Sequence, residues 1–430
     1  MSSRSAALRS NGVESFEAYP AKQPAAACTT GVDTPAAACT TGVDTPDAGV
    51  EVSIISTKSD FAALEADWNA LFERAAQGSH AFQSFDWCAH WCDHYLDGSS
   101  IAQRLAIVTA RSNGRLVFVW PLVVERLTAG ITALTTLGDP VSQYSDAVIE
   151  TSPDAQRWLQ QAWQTVRASL RPDLLWMPRV REDAALTPLL KSIGAIPTQR
   201  LEAPYIDLRA IEEPEAFMQR FSAHARKKFR AATRRLGSTG PVVHETLDGG
   251  AAAGVVAPAV IDMKRRQLIE RALPSPAFAD NKLDSFFADV ARASNRPAAT
   301  RVFTLRAGEE LAAANIVVAC KDRMLGHVFA FDARFAKENV GTLLLHEMVK
   351  QAVTMGCATF DLLAPADEYK LRCADGTHAV TSWALPLSAK GAVFTHAYLR
   401  FARPSLKRAI EALPQRLRHS LVRWYYRRAS

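Results

Sequence analysis

A chain of 430 residues is too long for one small core and fits roughly two or three domains of about 150 residues each. With 48% hydrophobic and 22% charged residues it reads as an ordinary globular chain, neither disordered nor fibrous, and no apolar run reaches the roughly 18 residues of a membrane span. The net charge of +6 is unevenly placed, because nine Lys or Arg stand against Glu411 alone between Arg400 and Ser430.

The first fifty residues are rich in Ala, Thr, Pro and Gly and carry an exact tandem copy of PAAACTTGVDT at 24–34 and 35–45. Such composition cannot bury enough surface to offset chain entropy, so residues 1–49 are expected to form a disordered tail. Two copies of an 11-residue unit are too few and too polar for a solenoid. The N-terminus has no apolar h-region, which argues against a secretory signal and for a cytoplasmic location. Seven cysteines, an odd number, exclude an evenly paired disulfide framework.

From Val50 the chain alternates strand-like and helix-like patterns. VEVSII reads as a strand, and Phe61, Leu64, Trp68, Leu71 and Phe72 then share one helical face. A second helix is expected over Phe85 to Tyr95. There Cys88 and Cys92, with His94 close by, have zinc-ligand chemistry, but the aromatic surroundings favour packing as small hydrophobes. RLAIVTA and RLVFVWPLVVERL flank Asn113-Gly114, the dipeptide of a tight hairpin. Strands in ITALTTL, DAVIE and DLLWM alternate with helices near 153–168 and before Gly194, giving a mixed α/β unit over 50–205.

Residues 206–395 repeat that order. Helices are expected over 214–236, 252–272 and 281–293, then a three-strand meander in RVFTLRA, LAAANIVVAC and MLGHVFAF. After the polar loop DARFAKENV, Gly341 opens a helix. Its core face is Leu344, Leu345, Met348, Val349, Ala352 and Met355, with His346, Lys350 and Gln351 opposite, and Gly356 caps it. TFDLLA, PADEYKLRCADG and VTSWALPL follow. A helix N-terminus offers unpaired N–H groups and a positive dipole end to an anion, and glycine lets a phosphate come close. The equivalent junction in the first half, AVIETSPDAQRW, has Glu150 and Asp154 and no glycine, so that half reads as a structural or acceptor-binding partner.

Residues 301–390 resemble the core of the GNAT acyltransferases, and more narrowly the CelD/BcsL family associated with cellulose biosynthesis, through Val340-Gly341-Thr342, Phe360-Asp361 and Tyr369-Lys370. A weaker likeness runs through the basic helix HARKKFRAATRRL and the 82–91 region, and the tandem layout is similar to the Fem-type aminoacyltransferases. The loop lacks the second glycine of the broader GNAT pattern, and Cys373 stands where the family commonly has an aromatic residue. The resemblance implies an α/β (α+β) fold of two tandem GNAT-like units, each a mixed, largely antiparallel sheet flanked by helices. It implies direct N- or O-acyl transfer from acetyl-CoA or another acyl-CoA to a small or polysaccharide acceptor, with no metal.

On that basis Asn339, Val340, Gly341 and Thr342 would hold the cofactor and the 324–331 strand would supply oxyanion donors. Asp361 would act as base or orient the acceptor, Tyr369 would protonate the leaving thiolate, and Lys370 would hold an anionic acceptor or steady developing charge. Asp361 can equally cap a turn. His327 and His346 are further bases by type, though position puts the first in the interior and the second in solvent. A non-catalytic adaptor of a polysaccharide-synthesis assembly and transfer from aminoacyl-tRNA are the alternative readings. The basic run Arg226 to Arg235 is short and has no stacking platform for nucleic acid. Residues 400–430 interleave basic and apolar side chains, as in a helix lying on an anionic membrane at its inner face; a helix packed on its own domain has the same pattern.

Overall fold

The computed structural model describes residues 50–96, 103–127, 130–293 and 297–429. The tail and its tandem repeat lie outside the described residues. Strands run in chain order as β1 (Glu51–Ile55), β2 (Gln103–Leu105), β3 (Ile107–Ser112), β4 (Arg115–Trp120), β5 (Leu122–Arg126), β6 (Thr132–Thr136), β7 (Val148–Ile149) and β8 (Leu174–Arg181). There follow β9 (Ile196–Asp207), β10 (Val242–Leu247), β11 (Ala298–Ala307), β12 (Glu310–Cys320), β13 (Arg323–Phe331), β14 (Thr359–Asp361) and β15 (Gly376–Pro386).

A four-stranded sheet has the order β1-β3-β4-β7, and an eleven-stranded sheet the order β10-β11-β12-β13-β14-β9-β15-β8-β6-β5-β2. The Asn113-Gly114 turn joins β3 to β4 with both residues at positive φ, as a primed hairpin turn requires. The meander β11-β12-β13 is antiparallel throughout. The larger sheet runs through both halves, because β9 inserts between β14 and β15 while β15 also pairs with β8.

Helices seal the sheets. Glu65–Ala75 and Phe85–Tyr95 bury Trp68, Leu71, Phe72, Trp87 and Trp91 in one cluster with Phe286 and Phe287 of Lys282–Arg292, so the halves share a core. Cys88 and Cys92 are buried in that cluster, and burial pushes the Cys92 thiol up to about 12, so both pack as small hydrophobes.

The helix Val340–Thr354 fills the crossover between β13 and β14. Two readings of its faces need correction. His346 is buried, because Phe217, Phe221 and Phe229 close around its ring at centroid distances of 5.6, 4.9 and 4.6 Å. 

Those rings come from the helices Ala216–Gln219 and Ala223–Leu236 and the turn between them, which cover a second face that the sequence pattern leaves to solvent. Met355, expected on the core face, lies past the helix end and is exposed. Gly356 follows at positive φ and donates to Val353 O, as expected of a cap.

Candidate active site

β13 and β14 are parallel neighbours over three residue pairs, Arg323 with Thr359, Met324 with Phe360 and Leu325 with Asp361. β14 then ends while β13 continues to Phe331, so from Gly326 onward β13 has no strand on that side. His327 is the extra residue of a bulge between β12 and β13 at this point. Val340–Thr354 begins beside the far end of β13, and its C-terminal end leads back to β14. Its N-terminus therefore lies at the carboxyl end of the parting strands, where open sheets of this kind bind ligands.

Asn339 takes the left-handed conformation, and its carbonyl accepts from the amides of Thr342 (2.9 Å) and Leu343 (3.1 Å). Val340 is buried. Gly341 is required by packing: a Cβ there would meet Cζ of Phe329 at 2.8 Å, so an aromatic ring approaches the bare face expected to admit a phosphate. The basic helix Ala223–Leu236 buries Phe229, Ala232 and Leu236 and runs past this N-terminus, with Arg235 donating to Lys337 O at 3.3 Å. Cationic side chains thus stand beside the positive end of the helix dipole.

Asp361 is fully buried and saturated. It accepts from Tyr144 at 2.9 and 3.1 Å, from Arg181 at 3.2 Å, from Arg323 at 3.1 Å and from the amide of Leu363 at 2.9 Å. A carboxylate has about four lone-pair sites, and five contacts leave none open to a substrate proton. Asp361 is therefore a positioning residue, and the expected base lies elsewhere. Burial and the Asp361 charge hold the Tyr144 phenol far above its usual range, so it remains a donor.

Lys370 is also committed. Its ammonium is buried and donates to Leu363 O (2.9 Å) and Pro365 O (3.0 Å), stapling the turn after β14 where an anion-holding role was expected. Burial lowers its pKa. Tyr369 alone of the three is open, 46% exposed, with its ring 6.1 Å from that of Phe329. Phe329 thus lies between Tyr369 and Gly341. Partial desolvation of its hydroxyl and the Asp367 carboxylate raise the Tyr369 phenol, which keeps its proton at neutral pH.

Sequence reasoning missed Lys264. On Gly250–Glu270 it shares a face with Gln267, which donates to Phe331 O at 2.6 Å, and that face continues to Arg271, whose guanidinium lies 5.9 Å from the Phe331 ring. Burial, then the charges of Arg271 and Lys370, bring the Lys264 amine down to about 8 against the opposing pull of Asp367. His327 is less suited as a base: burial among Phe82, Trp87 and Phe287 takes it to about 4, and its Nε2 lies 2.6 Å from Val141 O.

A cleft of about 520 Å³ in the first half is lined by Arg115, Glu150, Ser152, Asp154 and Trp158 among others. It contains the acidic junction read from the sequence, where Arg115 pairs with Glu150 at 2.8 Å and Arg157 with Asp154 at 3.3 Å.

Residues 223–371 match the family model of the acetyltransferase (GNAT) domain, a span that contains the parting strands, the helix and Tyr369. This part of the chain is a GNAT acetyltransferase domain. The match names no narrower family, and no curated protein matches the chain. Among solved structures, FemX is similar in fold, with a TM-score of 0.53 at 10% identity over 77% of this chain and 97% of that one. A tandem GNAT protein from the clavulanic acid biosynthesis pathway aligns with a TM-score of 0.44 at 13% identity over 79% of this chain and 99% of that one. The GNAT domain is an acyltransferase unit, and its β14 is hydrogen-bonded to β9 of the preceding half.

Proposed function

We propose that the GNAT domain transfers an acyl group from acetyl-CoA or another acyl-CoA to an amine or hydroxyl of a small or polysaccharide-related acceptor. The observation that carries the reading is the parting of β13 from β14 with a helix N-terminus at the open end. The diphosphate of the carrier would meet the amides at Val340 and Gly341, helped by the helix dipole and by Arg235. The thioester would lie along the unpaired edge of β13, whose amides would stabilise the oxyanion.

In this reading the acceptor N–H or O–H attacks the thioester carbonyl. A new C–N or C–O bond forms, the C–S bond breaks, and the carrier leaves as thiolate. Lys264, partly uncharged near neutral pH, takes the acceptor proton, and Tyr369 protonates the thiolate. Asp361 and Lys370 hold the surrounding backbone in place. The polysaccharide-related acceptor rests on the likeness to CelD/BcsL sequences at Val340-Gly341-Thr342, Phe360-Asp361 and Tyr369-Lys370.

The test is release of free thiol from acetyl-CoA in the presence of amino sugars, sugars and short glycans, with the acylated product identified by mass spectrometry. Thiol release that depends on an acceptor supports the reading. Turnover with aminoacyl-tRNA and none with any acyl-CoA would replace it.

A further inference from the structure

We propose that residues 394–429 form a docking face for the surface of an anionic membrane. The segment starts anchored: in the π-helical stretch Phe394–Ala402, Leu399 packs with Ala133, Leu174 and Ala384. The next helix, Arg403–Ala412, buries no residue at all, and its Leu406 is 59% exposed. Gln415–Ala429 then returns to the body, where Val422 and Tyr426 pack on Ala272 and Ala279 and the Tyr426 hydroxyl donates to Leu273 O at 3.3 Å.

That docking uses one face of the last helix and leaves another apolar face bare. Leu417, Leu421 and Trp424 stand at i, i+4 and i+7 and are 59%, 39% and 54% exposed. Phe401 and Tyr398 are exposed as well. Cations surround them, since nine Lys or Arg lie in 400–430 against one Glu. A helix with bare leucines and a tryptophan amid arginines matches the interface of a bilayer, where apolar side chains enter the headgroup boundary and cations meet lipid phosphates.

Charge separates this occupant from the others. A second copy would bring two strongly positive surfaces together, which like-charge repulsion opposes. Nucleic acid would satisfy the arginines but gains nothing from exposed leucines, which do not stack on bases. Among the described residues no helix is long and apolar enough to cross a membrane, so the contact would be peripheral.

The experiment is co-sedimentation of the full chain with vesicles of phosphatidylcholine alone or mixed with phosphatidylglycerol, at low and raised salt. The wild type is expected to pellet with the mixed vesicles, less with phosphatidylcholine alone, and less at raised salt. The Leu417→Glu/Leu421→Glu/Trp424→Glu variant should bind at least about tenfold more weakly with an unchanged melting temperature, because its targets are exposed. Phe401→Glu/Leu406→Glu, on a segment with few buried contacts, should weaken binding in the same direction and guards against misfolding of the first variant. Equal sedimentation of the wild type and both variants would overturn the proposal. So would a wild type that ignores vesicles, whether it binds RNA instead or forms a dimer that the triple substitution dissociates.

Discussion

Tyr144 donates its hydroxyl to both oxygens of Asp361, at 2.9 and 3.1 Å, and so ties the first half of the chain to the end of β14. Arg181 joins from the first half and Arg323 from β13, making a buried cluster in which two guanidinium groups meet one carboxylate. Removing the carboxylate would leave both cations unpaired. Asp361→Ala is therefore expected to cost about 3–5 kcal/mol of stability, and Tyr144→Phe about 1–2 kcal/mol, in urea unfolding. A variant at Asp361 with wild-type stability and no activity would instead restore the proton-accepting role.

At Gly341 the close approach of Phe329 makes a methyl group costly. Gly341→Ala should destabilise by about 1–3 kcal/mol through overpacking. Adding Phe329→Leu should recover most of the loss, and thermal unfolding of the single and double variants checks this. A Gly341→Ala protein as stable as the wild type would show that the contact is not tight.

The buried His346 makes the fold sensitive to acid. Burial, with a smaller contribution from Lys350, lowers its pKa to about 4, against about 6.5 for the unfolded chain. Between those values the unfolded state binds more protons, so stability is full above about pH 6.5 and falls as pH drops toward 4, by up to about 3 kcal/mol. His346→Leu should flatten that part of the pH-stability curve. An unchanged slope in the variant would assign the acid sensitivity to other groups.

Lys264 gives the reaction a distinct pH signature. With its amine at about 8, activity should rise through that pH as the neutral form accumulates. Lys264→Met should lower kcat by about 10²–10⁴-fold and remove the rise. Its stability should not fall below that of the wild type at neutral pH, because the charged amine is disfavoured by burial there. Full activity in Lys264→Met would move the base to another residue or to water.

Local patterning was legible. Trp68, Leu71 and Phe72 announced a helix face, Asn113-Gly114 announced its hairpin, and Gly356 its cap, because each depends on neighbours a few residues away. What depended on distant partners was not. β9 carries Pro197 and Pro204 among charged residues and has no strand pattern, yet it lies between β14 and β15. His346 looked solvent-facing until three phenylalanines from another segment covered it. Lys264 sits among Asp262, Arg265 and Arg266 and reads as one more solvated charge. The role proposed for it rests on the placement of its helix beside the end of β13, which no local pattern reports.

In the proposed reaction the N-terminus of Val340–Thr354 receives the diphosphate of an acyl carrier. Titration calorimetry with acetyl-CoA tests it most directly, on the wild type and on Thr342→Glu, where a carboxylate in the first helical turn favours the helix but repels phosphate. The wild type is expected to bind, and the variant to bind at least about tenfold more weakly while melting no lower. Absence of binding by the wild type, or equal affinity in both proteins, would contradict it.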